Sequence, residues 1–250
     1  MKRIIGMITV KNNKAVQSFG YKRYLPIGKP EILAKNLDRW GVDEILVNII
    51  DRTKNLKGPD YETIRSLKEQ KLSTPIIYGG GINSLYDAKK VINEGADRIL
   101  LETIILKKFN ELKKISDYIG SQSIICSIPL GIQKEKIYYF NYLNKKKEQI
   151  NKNFLNAIEL GYISEVLLID HLNEGSFDNF DTNIIKYFPN KNVPLITFGG
   201  IYSTDKINKI LKINNVDAVA IGNSLNYLEL NIQNIKKKCK KYLRNPVYEK

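Results

Sequence analysis

The chain has 250 residues, 43% of them hydrophobic, enough to bury one sizeable core or two smaller ones. Two cysteines, Cys126 and Cys239, and one histidine exclude a disulfide framework and any zinc- or cluster-type ligand spacing, so no metal and no cofactor is expected. The net charge of +14 is dispersed, the start of the chain has no secretory pattern, and no apolar run approaches a membrane span of about 18 residues.

These features set an expectation of a cytoplasmic protein with free thiols and without a membrane or nucleic-acid partner, since no recognised nucleic-acid motif is present. The densest charge, IKKKCKKYLR at 235–244, reads as the solvated face of a C-terminal helix.

In chain order, the first apolar run is RIIGMITV (3–10), with Arg3 at its start, Thr9 near its end and Lys11 just beyond. A helical pattern, KPEILAKNLDRWG (29–41), leads to EILVNII (44–50), which Glu44 opens and Asp51 follows. A second helical segment (61–70) precedes PIIYG (75–79), which runs into Gly79–Gly81. The helical stretch 85–95 then precedes RILLE (98–102), bounded by Arg98 and Glu102. Helix 109–120 leads to SIICSI (123–128) and Pro129, and helix 151–161 to EVLLID (165–170), which starts at Glu165 and ends in Asp170 and His171. PLITF (194–198), Gly199–Gly200, helix 203–213 and AVAIG (218–222) complete the series. Runs that are apolar throughout and alternate with helices predict parallel strands buried on both faces. Eight such units predict a (β/α)8 TIM barrel, with a doubly wound open sheet as the other arrangement, and the absence of a linker predicts a single domain over 1–250.

An internal repeat supports the barrel. PIIYGGGI begins at Pro75 and PLITFGGI at Pro194, while INEGADRILLETI (92–104) pairs with KINNVDAVAIGNS (212–224). The pairing sets Asp97 against Asp217 and Thr103 against Asn223, as in two fused half-barrels. Glycine permits close backbone approach, and strand-end hydroxyls and amides can donate to phosphate. Two matching sets predict two phosphate sites across one mouth: Gly81 with Thr103, and Gly200 with Gly222, Asn223 and Ser224, the second completed by Gly175 and Ser176. The alternative is that these glycines only make tight strand-to-helix turns.

These motifs together (KRII at the start, GVDEILV, YGGGI, GADRI, GSQSII, NEGSFDNFD and FGGI) make the chain similar, nearly end to end, to the cyclase subunit of imidazole glycerol phosphate synthase. The resemblance implies a barrel that receives ammonia from a separate glutaminase docked on the N-terminal face. Ammonia would rise through the interior to a doubly phosphorylated small molecule at the opposite mouth. The family's phosphate positions fall on Gly81, Thr103, Gly175, Gly200, Gly222 and Asn223. Glu102 replaces a neighbouring asparagine, which sets a carboxylate beside the first phosphate unless it turns away. The family's charged ammonia entrance falls on Arg3, Glu44, Arg98 and Glu165, each at a strand start, where two positive and two negative groups can neutralise one another. Asp97 and Gln122 fall near the glutaminase interface.

Two family positions depart from the pattern. The aspartates that serve as general acid and base become Thr9 and Pro129, neither able to move protons near neutral pH, and each such group is worth about 10²–10⁴-fold. A loop-one lysine is replaced by Gln17. Asp51, Asp170, His171, Lys11 and Glu102 remain near strand ends, and His171 in an ordinary environment would titrate near neutrality. The pattern resembles a branch of cyclase-like copies, found beside a glutaminase-like protein and a sugar amidotransferase, in which the barrel relays ammonia for acetamidino sugars of surface polysaccharides or nonulosonic acids. Two other readings stay open: a histidine-pathway cyclase with relocated acids, and a non-catalytic phosphate-binding scaffold.

Overall fold

The computed structural model describes residues 1–226 and 230–246. Eight parallel strands close on themselves: β1 (Arg3–Lys11), β4 (Glu44–Ile49), β5 (Ile76–Gly79), β6 (Arg98–Leu101), β7 (Ile124–Gln133), β10 (Glu165–Asp170), β11 (Leu195–Phe198) and β12 (Val216–Ile221). The ring is completed by β1 on β12 and β7 on β10, so the expected (β/α)8 barrel is the observed fold. Outside it lie α1 (Pro30–Trp40), α2 (Tyr61–Glu69), α3 (Leu85–Glu94), α4 (Thr103–Lys107), α5 (Phe109–Ile119), α6 (Lys152–Glu159), α7 (Asn183–Tyr187), α8 (Thr204–Leu211) and α9 (Asn231–Lys238).

The helices start and stop where their sequences dictate. Ser84 and Ser203 accept from Asp87 N–H and Lys206 N–H to cap α3 and α8, and Pro30 opens α1, where its missing N–H costs nothing. Strand alternation divides the apolar residues into two layers. Ile4, Ile8, Val47, Ile99 and Leu168 face the helices, while Ile5, Met7, Leu46, Ile77, Leu100, Leu167 and Ile169 fill the interior, which is therefore packed.

Two hairpins escape the sequence reading. Asn12 and Asn13, both at positive φ, turn β1 back into β2 (Lys14–Phe19), which pairs with β3 (Arg23–Gly28). Lys134 and Glu135 do the same for β7 and β8 (Lys136–Asn141), with β9 (Lys146–Glu148) beyond. β1 pairs with β12 only over Arg3–Gly6, and β2 takes the vacated edge over Thr9–Lys11. Likewise β6 pairs with Ile124–Cys126, and β8 takes the edge of β7 over Leu130–Gln133. The half-barrel repeat thus includes a hairpin on the first strand of each half.

The charge run at 235–244 is not uniformly solvated, contrary to the expectation. Lys236 is 2% exposed and pairs with Asp43 at 2.8 Å, and Cys239 is buried in the core. Helix α9 packs against α8, and Lys236 is the lysine of the run that turns inward, to the Asp43 carboxylate just before β4.

Candidate functional site

At the barrel base, β1, β4, β6 and β10 each begin with a charged residue whose side chain points along the axis. Arg3 pairs with Glu44 at 2.8 Å and with Glu165, and Arg98 pairs with Glu44 at 3.1 Å and Glu165 at 2.5 Å. Signs alternate around a closed, neutral ring. Arg98 is further fixed by Ser164 Oγ at 3.0 Å and the Gln122 carbonyl at 3.1 Å. Burial alone would lower the pKa of Arg3, but its hydrogen bond to Glu165 and the fields of Glu44 and Glu165 outweigh this and raise it. Beside the ring, Asp97 accepts from Ile76 N–H at 2.7 Å, as Asp43 accepts from Ile4 N–H at 2.8 Å, so each aspartate ties the start of the preceding strand; Asp97 and Gln122 are exposed.

The repeated glycines have matching environments. A Cβ on Gly80 would lie 2.4 Å from the Ile49 carbonyl and one on Gly199 2.6 Å from the Asp170 carbonyl; Gly81 and Gly200, at φ +77° and +67°, meet the Gly58 and Asn173 carbonyls at 2.6 Å. Each pair must be glycine to pass over the end of the preceding strand and its loop, with or without a ligand. The Gly81 N–H donates to Thr53 Oγ1 at 3.2 Å, and Ser176 Oγ donates to the Asn173 carbonyl at 2.7 Å.

The second predicted phosphate position is covered by the chain's own β2. Asn223 Nδ2 donates to the Ser18 carbonyl at 2.7 Å, and Ser18 N–H donates back to Asn223 Oδ1 at 3.3 Å. A Cβ on Gly175 would lie 2.3 Å from the Ser18 carbonyl. Beneath β2 a cavity of about 340 Å³ is lined by Met7, Thr9, Gln17, Phe198, Gly222 and Asn223, so it joins the Thr9 position to the predicted phosphate residues. Ser224 is buried in the short turn at 223–226, its Oγ without a hydrogen-bond partner.

Thr9 and Pro129 occur on strands facing one another across the barrel, four strands apart, and both are buried. The other strand-end polar residues divide by what they hold. Asp51 accepts from Asn12 N–H at 2.9 Å and fixes the β1–β2 turn. Lys11 lies over the Tyr24 ring, 3.8 Å from its centroid. Asp170, 1% exposed, accepts from Asn173 N–H, Asn173 Nδ2 and Asp181 N–H, and so folds the loop after β10.

His171 does not titrate near neutrality as expected. It stacks on Phe140 with centroids 4.2 Å apart, its Nε2 is 2.9 Å from Tyr138 Oη, and burial, with Lys147 and Lys22 nearby, lowers its pKa to about 4. The β8 hairpin covers it, a contact absent from the linear pattern.

Glu102 is the residue the structure promotes. It stands just beyond the end of β6, at the start of α4, and its carboxylate accepts from Tyr139 Oη at 2.7 Å. Burial raises its pKa to about 7, the hydrogen bond from Tyr139 only partly opposing. The signal for this role was Glu102 itself, a carboxylate at a strand end, but its partner comes from an unrecognised hairpin.

Among the described residues no helix is long and apolar enough to cross a membrane, and no group of three or more histidine, cysteine or acidic side chains is placed to hold a metal ion. A profile of the family described as histidine biosynthesis protein matches residues 3–231. The chain is 28% identical over 244 residues to the imidazole glycerol phosphate synthase subunit HisF of Leptospira biflexa, covering 96% of this chain and 95% of that one. It is 30% identical over 200 residues to a putative imidazole glycerol phosphate synthase subunit hisF2 of Campylobacter jejuni (80% and 79% covered). A protein of the same description in Vibrio vulnificus is 27% identical over 230 residues (91% and 84%).

Proposed function

The chain belongs to the histidine biosynthesis protein family, as a barrel similar to the HisF subunit of imidazole glycerol phosphate synthase, and from this premise we propose that it relays ammonia rather than running the cyclase reaction. A HisH-like glutaminase docks at the base, on the face that carries Asp97 and Gln122. Ammonia enters through the ring of Arg3, Glu44, Arg98 and Glu165, and the acceptor is a sugar amidinated by a partner amidotransferase for a surface polysaccharide or nonulosonic acid. The observation that carries this reading is the closed charged ring at one end of a barrel whose other end has Thr9 and Pro129 where the family's acids stand.

The steps at the base follow from the geometry. The ring is neutral and its four side chains are held by one another, so parting a single arginine–glutamate contact opens the axis without leaving a charge wholly unpaired. A small uncharged molecule then meets only the apolar interior of Ile5, Leu46, Ile77, Leu100 and Leu167. That layer excludes ions and retains the neutral form of ammonia. At the mouth, Gly81 with Thr103, and Gly175, Ser176, Gly200, Gly222 and Asn223, are proposed to receive phosphate groups of the acceptor or of a regulatory ligand, the second set only after β2 moves.

Of the relocated-acid candidates, Asp51 and Asp170 already hold backbone N–H groups in fixed turns, which supports relay over a rearranged cyclase. The test is co-purification with a glutaminase-like protein of the same organism. The expected result is a complex that hydrolyses glutamine faster than the glutaminase alone, with no ammonia-dependent turnover of the histidine-pathway nucleotide. Turnover of that nucleotide with ammonium salt overturns the reading in favour of the cyclase, and phosphate binding without glutaminase stimulation favours the scaffold.

A further inference from the structure

The two hairpins meet over the barrel axis. Tyr21, in the turn between β2 and β3, packs onto the inward-facing residues that fill the barrel. Tyr142, just beyond β8, stands edge-on to it with ring centroids 5.1 Å apart, and Phe140 stands edge-on to Tyr142 at 5.2 Å. The hydroxyl oxygens of Tyr21 and Tyr142 are both buried and neither has a hydrogen-bond partner. Leaving two buried phenols unsatisfied is costly, so their retention side by side points to something that pairs with them.

Two carboxylates act on these phenols. The field of Glu102, at the end of β6, reaches both hydroxyls, as does that of Glu174, 5% exposed in the loop after β10, where it accepts from Ser18 Oγ at 3.1 Å and Tyr21 N–H at 3.0 Å. Burial pushes both tyrosine hydroxyls well above their ordinary pKa, and the fields of Glu102 and Glu174 push them in the same direction. The surroundings therefore offer carboxylate oxygens, phenol oxygens and aromatic rings, while Tyr139 Oη already donates to Glu102. A small cation with several N–H donors suits such a wall better than water, which brings two lone pairs of its own.

We propose that Glu102, with the hydroxyls of Tyr21 and Tyr142 and the carboxylate of Glu174, forms a closed ammonium-binding chamber at the inner mouth of the barrel. The proposal rests on the relay reading and supplies its terminus. Ammonia leaving the apolar interior meets the Glu102 carboxylic acid and takes its proton, giving ammonium beside a carboxylate. When the hairpins part, the proton returns to Glu102 and neutral ammonia is released to the acceptor. A carboxyl held at about 7 is suited to run this exchange in both directions.

The groups facing Glu102 are Tyr139 from β8, Cys126 from β7, and Tyr21 and Tyr142 from the hairpins, all neutral near pH 7 because burial raises each of them, and Glu174, which shares the chamber and whose carboxyl burial also raises. Glu102 is therefore followed apart from Glu174, by the carboxyl carbon resonance that disappears in Glu102→Gln, a variant that keeps an acceptor for Tyr139. The probe is ammonium chloride against tetramethylammonium chloride at equal ionic strength, with the isolated chain. The expected result is a midpoint that falls by about one pH unit once ammonium is tenfold above its dissociation constant. Equal midpoints in the two salts overturn the chamber. Tyr21→Phe gives a second reading: thermal stability in tetramethylammonium stays level or rises, because an orphaned hydroxyl is removed, while the gain conferred by ammonium is lost. An ammonium gain equal to that of the unaltered chain overturns the assignment. Neither measurement needs a glutaminase, so failure of the relay and failure of the chamber are read separately.

Discussion

Glu102 and His171 shift in opposite thermodynamic directions although both are partly buried near the mouth. Glu102 has a pKa of about 7 when folded against 4.5 in its ordinary state, so between those values the native chain holds a proton that the unfolded chain has lost. Stability falls as pH rises through that window, by about 3 kcal/mol in all. His171, lowered from 6.5 to about 4, does the reverse: the unfolded chain binds the extra proton, and stability rises with pH over that window by a similar amount. The two slopes nearly cancel in the unaltered protein. Urea unfolding between pH 4 and 8 should show Glu102→Gln gaining stability with rising pH and His171→Asn losing it. Parallel profiles would overturn both environments. In the sequence, Glu102 was visible as a strand-end carboxylate and His171 as a lone histidine. Their environments were not, because Tyr139, Tyr138 and Phe140 approach from a hairpin more than 30 residues away.

The hairpins are the elements that set this barrel's mouth. β2 holds Asn223 through two hydrogen bonds to Ser18 and lies within the space any side chain on Gly175 would need. If phosphate uses these residues, β2 competes with it, and shortening residues 14–27 to a glycine linker should tighten inorganic phosphate binding. Two hydrogen bonds of about 1 kcal/mol predict about tenfold or more, measured by calorimetry. An unchanged affinity would remove Gly175 and Asn223 from the phosphate set. Asn12–Asn13 is a hairpin signal that sequence reading could have used, since both residues tolerate positive φ. The Lys134–Glu135 turn carries no such signal. Its geometry is imposed by pairing of Tyr138 and Tyr139 with Gly131 and Leu130. The eight barrel strands were legible because each is apolar on both faces, and helices α4 and α7 were missed because five residues are too few to show a period.

For the whole molecule, the packed interior separates the charged ring at the base from the mouth. The ring at the base joins residues 41 to 162 positions apart in sequence. Removing one member leaves an uncompensated, largely buried charge, so Glu165→Ala should cost about 3 kcal/mol in urea unfolding. Replacing all four residues with apolar ones of similar size should cost much less. A single replacement as mild as the quadruple one would show the ring to be solvated. The ring's members were legible as charges at strand starts, and the family resemblance pointed to the same four. Lys236 was not legible as a buried ion, because nothing local distinguishes it from the lysines on either side.

The sequence by itself determined the strand order, the half-barrel repeat and the residues at each strand end, since apolar periodicity and glycine placement are local properties of the chain. The tertiary structure alone decided which of those end residues face one another. That depends on the barrel's closure, which brings β10 to β7 and β12 to β1, and on two hairpins that partly cover Glu102 and His171 and bury two unpaired phenol oxygens.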